Sequence, residues 1–526
     1  MRRWWGAVLG VCVWAGCSAE DGGGAPLPEG DTPVAAGPDA PAGGETPPPP
    51  ATGGQEEVPP GGGDAPPGEA GEPTPPPPAA CSGPEGTARL AWSYDAAWDQ
   101  TVDFRGTMDA DGQTYWTECE SSYWSDKDPQ DLRCHLVSAT HDGAIRYRAL
   151  LPRVGLTAVH AVDAERLYVT SAGATLSAHA PGDGRELWST HLATVRPGYP
   201  PAGTSLLIDA VSPGPAHVLT VARYIVEEEN EQSLLVALRP DTGAVAWTAL
   251  TPPVRAPLVL DAEGNLYGGS FDAATGQTTL FSYTPDGKPR WQTRRAGQRR
   301  PTAVDGGRLL LERAEVADAS TGAPLATLAT ASPDDSYVAL GSSSSPFGRA
   351  VFQARGVLVV PDQPCTAEGC PEALHPGRTF LYGFDPADGS LRWHRPIGAW
   401  PMAPVLTRRD SLLLVDRPPA EGCEEDYSCT GDDSHHGSFL RELDAKDGRE
   451  LAACALPGTA PYITPPALHQ GRVVMGAWTN WLASNDWTRR MSIRAFELSV
   501  PTGPAASGWV TAGGGNSRSG TPHPTP

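Results

Sequence analysis

The chain has 526 residues, of which 60 are Gly and 56 Pro, with 39% hydrophobic and 19% charged residues and a net charge of −23. Gly and Pro at this level exclude a helical bundle, which needs long windows free of both, and leave turn-rich β-structure, disordered sequence, or the two together. The acidic balance excludes a protein that grips a phosphate backbone through a basic face, and no apolar run reaches the roughly eighteen residues of a membrane-spanning helix.

The first seventeen residues have the layout of a secretory signal: Arg2 and Arg3, then an uncharged apolar run from Trp4 to Trp14. The run ends in Trp14-Ala15-Gly16-Cys17. Small residues directly before a cysteine resemble the bacterial lipobox, with Trp14 where that motif usually carries Leu. The resemblance implies cleavage before Cys17 and acyl chains on it that hold the mature protein to a membrane; plain secretion is the alternative. Ser18 in place of Asp implies, by analogy with enteric bacteria, passage to the outer membrane.

Residues 18–80 hold 18 Pro, 14 Gly and 11 Asp or Glu, with no Lys, Arg or aromatic residue. Such a segment buries too little apolar surface to offset its ordering entropy and is expected to be a disordered stalk. The runs Pro47 to Pro50 and Pro75 to Pro78 stiffen it toward polyproline II, and Gly22 to Gly24 and Gly61 to Gly63 loosen it. Setting the leader and stalk aside leaves 37 basic and 51 acidic residues, a net −14, for a folded body over 81–526.

One phrase recurs along that body: a short apolar run, a turn with Asp-Gly or Thr-Gly, and an aromatic residue four positions after the glycine. It is clearest in LSAHAPGDGRELW (176–188), LVALRPDTGAVAW (235–247), LFSYTPDGKPRW (280–291) and LYGFDPADGSLRW (381–393). Fainter copies place their glycines at Gly143, Gly322, Gly448 and Gly503. Each phrase predicts a β-hairpin, because apolar alternation gives a strand and the glycine supplies the positive φ of the turn. Gly184, Gly243, Gly287 and Gly389 are the turn residues of the strong copies. Trp188, Trp247, Trp291 and Trp393 then return on one face of the second strand, where a large ring fills the gap between neighbouring sheets. The copies recur about every fifty residues, the length of one four-stranded sheet with its loops.

This pattern resembles the repeat of pyrroloquinoline-quinone-type β-propellers, in which Asp-x-x-Thr-Gly-x-x-x-Trp marks each blade; the resemblance spans 136–503. It implies an all-β, PQQ-like propeller preceded by the Pro/Gly-rich linker. Eight phrases predict eight blades, with seven as the alternative count. Closing the ring falls to ARLAWSYD (88–95) and SIRAFELSV (492–500), strands expected to share one blade. The tail GWVTAGGGNSRSG (508–520) resembles a Trp- and Gly-rich segment of such propellers and is expected near the closure.

Of ten cysteines, eight remain after Cys12 and Cys17 are set aside. An exported protein keeps disulfides. Proximity suggests the pairs Cys119–Cys134, Cys365–Cys370 and Cys423–Cys429, leaving Cys81 and Cys454 to join the first and last blades. The spacings are not those of zinc ribbons.

Three candidate sites follow. Quinone catalysis, implied by the family resemblance, needs Ca²⁺ with Glu, Asn and Asp ligands, a Trp floor and a basic Asp; no residue here is assignable to those roles, and adjacent cysteines are absent. Acidic loops at 109–112, 125–131 and 423–437 could hold a cation, but the first lacks the third Asp and distal Glu of a calcium loop, so solvated loops without metal are the expectation. An aromatic surface could form where ring closure brings Trp116, Tyr123 and Trp124 near Trp478, Trp481 and Trp487; packing is the alternative. The resulting expectation is a non-catalytic, lipid-anchored scaffold of the bacterial envelope, without cofactor, that engages a protein or glycan partner. A quinoprotein dehydrogenase using pyrroloquinoline quinone and Ca²⁺ is the alternative.

Overall fold

The computed structural model describes residues 88–505 apart from 98–99, 121–131, 172–173, 200–205, 225–231, 255–257, 313–314, 329–350, 353–355, 362–378, 398–403, 417–437, 458–463, 480–489 and a few single positions. Residues 1–80, expected from the sequence to be signal and stalk, and the tail at 508–520 lie outside these residues.

The described residues form eight four-stranded antiparallel sheets, seven of them simple meanders in chain order. In chain order, blade 1 spans 100–154, blade 2 157–191, blade 3 206–251, blade 4 259–296, blade 5 301–327, blade 6 351–397 and blade 7 405–455. Blade 8 takes three strands from 467–497 and its outermost strand, Arg89–Asp95, from the other end of the body. Arg89 stands opposite Glu497 and Asp95 opposite Ser492. The ring therefore closes by pairing the two ends of the body, and no blade is left with three strands. The first strands of blades 1 and 2, 2 and 3, 4 and 5, 5 and 6, and 8 and 1 touch one another, which sets them around the axis.

Position in a blade decides the character of each strand. Middle strands are covered on both faces by neighbouring blades and read as unbroken apolar runs; Ser233–Leu238 and Ser411–Asp416 are buried at every residue. Outer strands are only partly covered: in Val245–Thr251 Thr251 alone is buried. The apolar core is accordingly divided among the gaps between blades, as in the cluster of Tyr267, Leu310, Val316 and Phe384 across blades 4 to 6.

A disulfide joins Cys119 to Cys134, directly opposed on neighbouring strands of blade 1 with Cα atoms 4.0 Å apart. Cys454 is disulfide-bonded to a cysteine outside the described residues. Its neighbour Ala455 accepts a backbone hydrogen bond from Ala88, at the start of the closing strand. Cys81, Cys365, Cys370, Cys423 and Cys429 lie outside the described residues, as does Cys17.

The meander also sorts the connections. Turns from first to second and from third to fourth strand all emerge on one face of the ring and are two to six residues long. The described strands that flank every longer stretch of chain, among them 121–132, 192–205, 328–350, 362–378 and 417–438, end on the opposite face.

Candidate functional site: blade joints and a loop-bearing face

Seven of the eight recurring glycines sit in the short turns with positive φ, from 68° at Gly243 to 84° at Gly143; Gly503 is the exception. Beside each strong-copy turn the ladder slips by one residue, for example between Ala237 and Leu238 and between Gly383 and Phe384. This is a bulge built on a left-handed glycine. The conformation also leaves the glycine's face bare, and the aromatic ring of the preceding blade covers it. A Cβ on Gly243 would strike the Trp188 ring, one on Gly287 the Trp247 ring, one on Gly322 the Trp291 ring and one on Gly448 the Trp393 ring. Tyr147 covers Gly184 in the same way, and Ala326 with the Thr327 carbonyl meets Gly389.

Each indole then donates its Nε1–H to a carbonyl of the turn it covers. Trp188 bonds Pro240 at 2.7 Å, Trp247 bonds Pro285 at 2.7 Å, Trp291 bonds Ala319 at 3.0 Å and Trp393 bonds Ala445 at 3.2 Å. Opposite these tryptophans on the same blade stand Ala178, Ala237, Ser282 and Gly383, small enough to let the ring lie flat. The repeat tryptophans thus join blades and are engaged away from the axis.

The joint between blades 8 and 1 uses Trp92, which the linear repeat does not mark. It covers Gly143 and donates to the His141 carbonyl at 3.0 Å. Its own phrase ends at Gly503, at the far end of the body, so the glycine and its indole are split between the two ends of the chain. Reading the phrase around a closed ring would have found it. The remaining joint, between blades 7 and 8, has Ala452 in the aromatic position. There the chain after the last strand folds back: Arg408 donates its backbone N–H to Gly503, and Ala505 donates to Leu406.

One candidate binding residue is corrected. Trp116 is fully buried, packed against Tyr94 with ring centroids 4.9 Å apart and clustered with Phe104 and Ile493 at the joint of blades 8 and 1. It fills the seam and cannot present a surface. Tyr123, Trp124, Trp481, Trp487 and the side chain of Trp478 lie outside the described residues.

The acidic loop at 109–112 is a strand-connecting turn. Asp109 accepts the backbone N–H groups of Asp111 and Gln113 and the Tyr115 hydroxyl at 2.6 Å, so its carboxylate is engaged by its own hairpin. Asp163 with Tyr168 and Asp261 with Tyr267 repeat the arrangement in blades 2 and 4. Burial and the adjacent carboxylate hold these tyrosines far above the ordinary phenol range. The loops at 125–131 and 423–437 lie outside the described residues. Among the described residues no group of three or more His, Cys, Asp or Glu converges in a way that could hold a metal ion.

Several charged side chains are buried at blade seams. Glu118, 1% exposed, takes a hydrogen bond from Tyr94 of the closing strand at 2.9 Å and pairs with Arg148 at 2.9 Å. Arg300 and Glu312, 8% and 3% exposed, pair at 2.9 Å where blade 5 meets the loop-bearing face. Asp416, also buried, takes Arg441 at 2.8 Å beside the entry to the 417–438 connection. Each carboxylate has a cation or donor against it, which is the condition for keeping such a group out of water.

Comparison with known proteins bears on the fold. A family model described as outer membrane protein assembly factor BamB matches residues 230–417. No curated protein matches the chain. Among solved structures, quinohemoprotein alcohol dehydrogenase from Comamonas testosteroni is 14% identical with a TM-score of 0.44, covering 78% of this chain and 76% of its own. BamB from Moraxella catarrhalis is 13% identical with a TM-score of 0.42, covering 78% and 97%. The C-terminal WD40 domain of Sif2 is 9% identical with a TM-score of 0.43, covering 78% and 98%. At these identities the likeness is one of fold alone. The glycine-to-tryptophan repeat, the ring of four-stranded blades and the family match together identify the chain as a β-propeller of the pyrroloquinoline-quinone-like repeat type.

Proposed function

We propose that this protein is a non-catalytic binding scaffold of the bacterial cell envelope, lipid-anchored through Cys17, that engages a protein or glycan partner with the loop-bearing face of its propeller. The observation that carries this reading is the asymmetry of the two faces. One face consists of turns of two to six residues, five of them locked by glycine and indole, whereas the strands flanking all longer connections end on the other. A rigid ring that presents variable loops on one side is the arrangement in which recognition is expected. Engagement of the repeat tryptophans between blades supports the non-catalytic side of the reading, and the BamB family match supports an envelope partner at the outer membrane.

Crosslinking in intact envelopes, with a photoreactive residue placed at exposed positions of the loop-bearing face and separately in the Gly turns, tests the proposal. A reproducible adduct from the loop face alone is expected; equal yields from both faces, or none from either, would remove it. Acyl labelling that survives Cys17→Ser would remove the anchor. Saturable binding of pyrroloquinoline quinone with Ca²⁺, together with alcohol-dependent dye reduction, would replace the scaffold with a dehydrogenase.

A further inference from the structure

Seven blades draw all their strands from one stretch of chain, and blade 8 alone borrows its outer strand from the other end. The joint between blades 8 and 1 is therefore where the ring opens if it opens anywhere. Two histidines meet there. His141, in the turn that Trp92 covers, faces His469 of blade 8 edge-on, with ring centroids 5.2 Å apart and planes at 74°. Gly112 lies against both rings, and a side chain there would strike His469. The His141 carbonyl is the acceptor for Trp92 and also for Arg472 of blade 8, at 2.6 Å.

Charged groups reach this pair from every side. His141 is faced by Arg472 and by Asp142 of its own turn, and Asp142 is held by Arg472 at 2.6 Å. His469 is faced by Asp109 and Asp111 from the first turn of blade 1 and by Arg408 from blade 7. Of these carboxylates, Asp109 is engaged by its hairpin and Asp142 by Arg472. Protonating both imidazoles would place two cations edge to edge, with two guanidinium groups already present. Burial, and for His141 the charge of Arg472, hold both rings below the ordinary imidazole range.

We propose that the joint between blades 8 and 1 is an acid-sensitive latch, in which protonation of His141 and His469 releases the closing strand Arg89–Asp95. The direction follows from linkage. The open form takes up protons near the ordinary imidazole pKa of about 6.5, whereas the closed form resists them. The latch holds fully above that pH and weakens as the pH falls through and below it.

Hydrogen exchange on the full-length protein at about pH 7.5 and about pH 5, corrected for intrinsic rates, tests the latch. Residues 89–95 are expected to lose protection at the lower pH that the outer strand Val245–Thr251 keeps. His141→Gln with His469→Gln should abolish that difference. Equal responses of the two strands, or a difference that persists in the double variant, would overturn the proposal. Should the double variant fail to fold, NMR titration of the wild-type imidazoles decides: midpoints below the ordinary range support the latch, and midpoints at or above it refute it.

Discussion

The indole of Trp188 lies against Gly243 of the next blade and donates a 2.7 Å hydrogen bond to the Pro240 carbonyl. One contact thus combines apolar burial, a satisfied N–H and a backbone conformation that only glycine adopts freely. Trp188 is 7% exposed. Replacing it with Ala removes a large buried ring and orphans the turn carbonyl, so Trp188→Ala should cost about 3–5 kcal/mol. Trp247→Ala, at a half-buried ring, should cost about 2 kcal/mol. Urea unfolding of the two variants measures both values, and the order Trp188 above Trp247 is the decisive part.

The partner side of the contact should be equally sensitive. Gly243 has φ 68° and no room for a Cβ beneath Trp188. Gly243→Ala is expected to cost about 2 kcal/mol or more, from left-handed strain together with displacement of the ring. Gly276, with φ 64° but open space around it, provides the control: Gly276→Ala should show the strain alone, about 1 kcal/mol. Comparable losses at the two sites would mean the ring contact contributes nothing.

Cys119 and Cys134 span a separation of 15 residues at the base of the 121–132 connection. In the chain-entropy account, a loop of this size corresponds to about 3 kcal/mol. Cys119→Ala with Cys134→Ala should lower stability by that order, and added reductant should have no further effect on blade 1. Near-UV circular dichroism, followed along a urea titration, reads the change.

Arg300 and Glu312 are both buried and exchange a side-chain pair and a backbone bond. Glu312→Leu leaves a guanidinium without its carboxylate and should destabilise by about 3–5 kcal/mol. Arg300→Met combined with Glu312→Leu should recover most of that loss, because two apolar groups need no partner. Failure of the second substitution to rescue the first would show that the pair does not act as a unit.

His160 is 8% exposed on the innermost strand of blade 2, with Nε2 2.8 Å from the Thr170 hydroxyl. Burial, reinforced by the charge of Arg105, keeps its imidazole neutral well below the ordinary range. The unfolded chain takes up this proton near pH 6.5 and the folded one does not. Stability from the neutral form is complete above that pH and falls as the pH drops below it. Unfolding midpoints between about pH 7.5 and pH 5 should therefore slope less steeply in His160→Gln than in wild type. Parallel slopes would show that His160 does not titrate on unfolding.

Much of the fold is legible in the chain because the information is local. The Asp-Gly and Thr-Gly turns specify hairpins, the apolar runs before them give buried strands, and the aromatic four residues after the glycine gives the returning strand its face. Blade identity and repeat length follow from such short-range signals, and the pairing of Arg89–Asp95 with the last strand follows from the need to leave no sheet edge open in a closed ring. Only tertiary structure decides which ring covers which glycine, because each contact is made to the next blade. It places Trp92 with Gly143 although its repeat ends at Gly503, buries Trp116 in the seam, and brings His141 and His469 edge to edge across 328 residues of chain. Strand and turn are set by neighbours in sequence; a joint in a closed ring depends on residues that become neighbours only once the ring has formed.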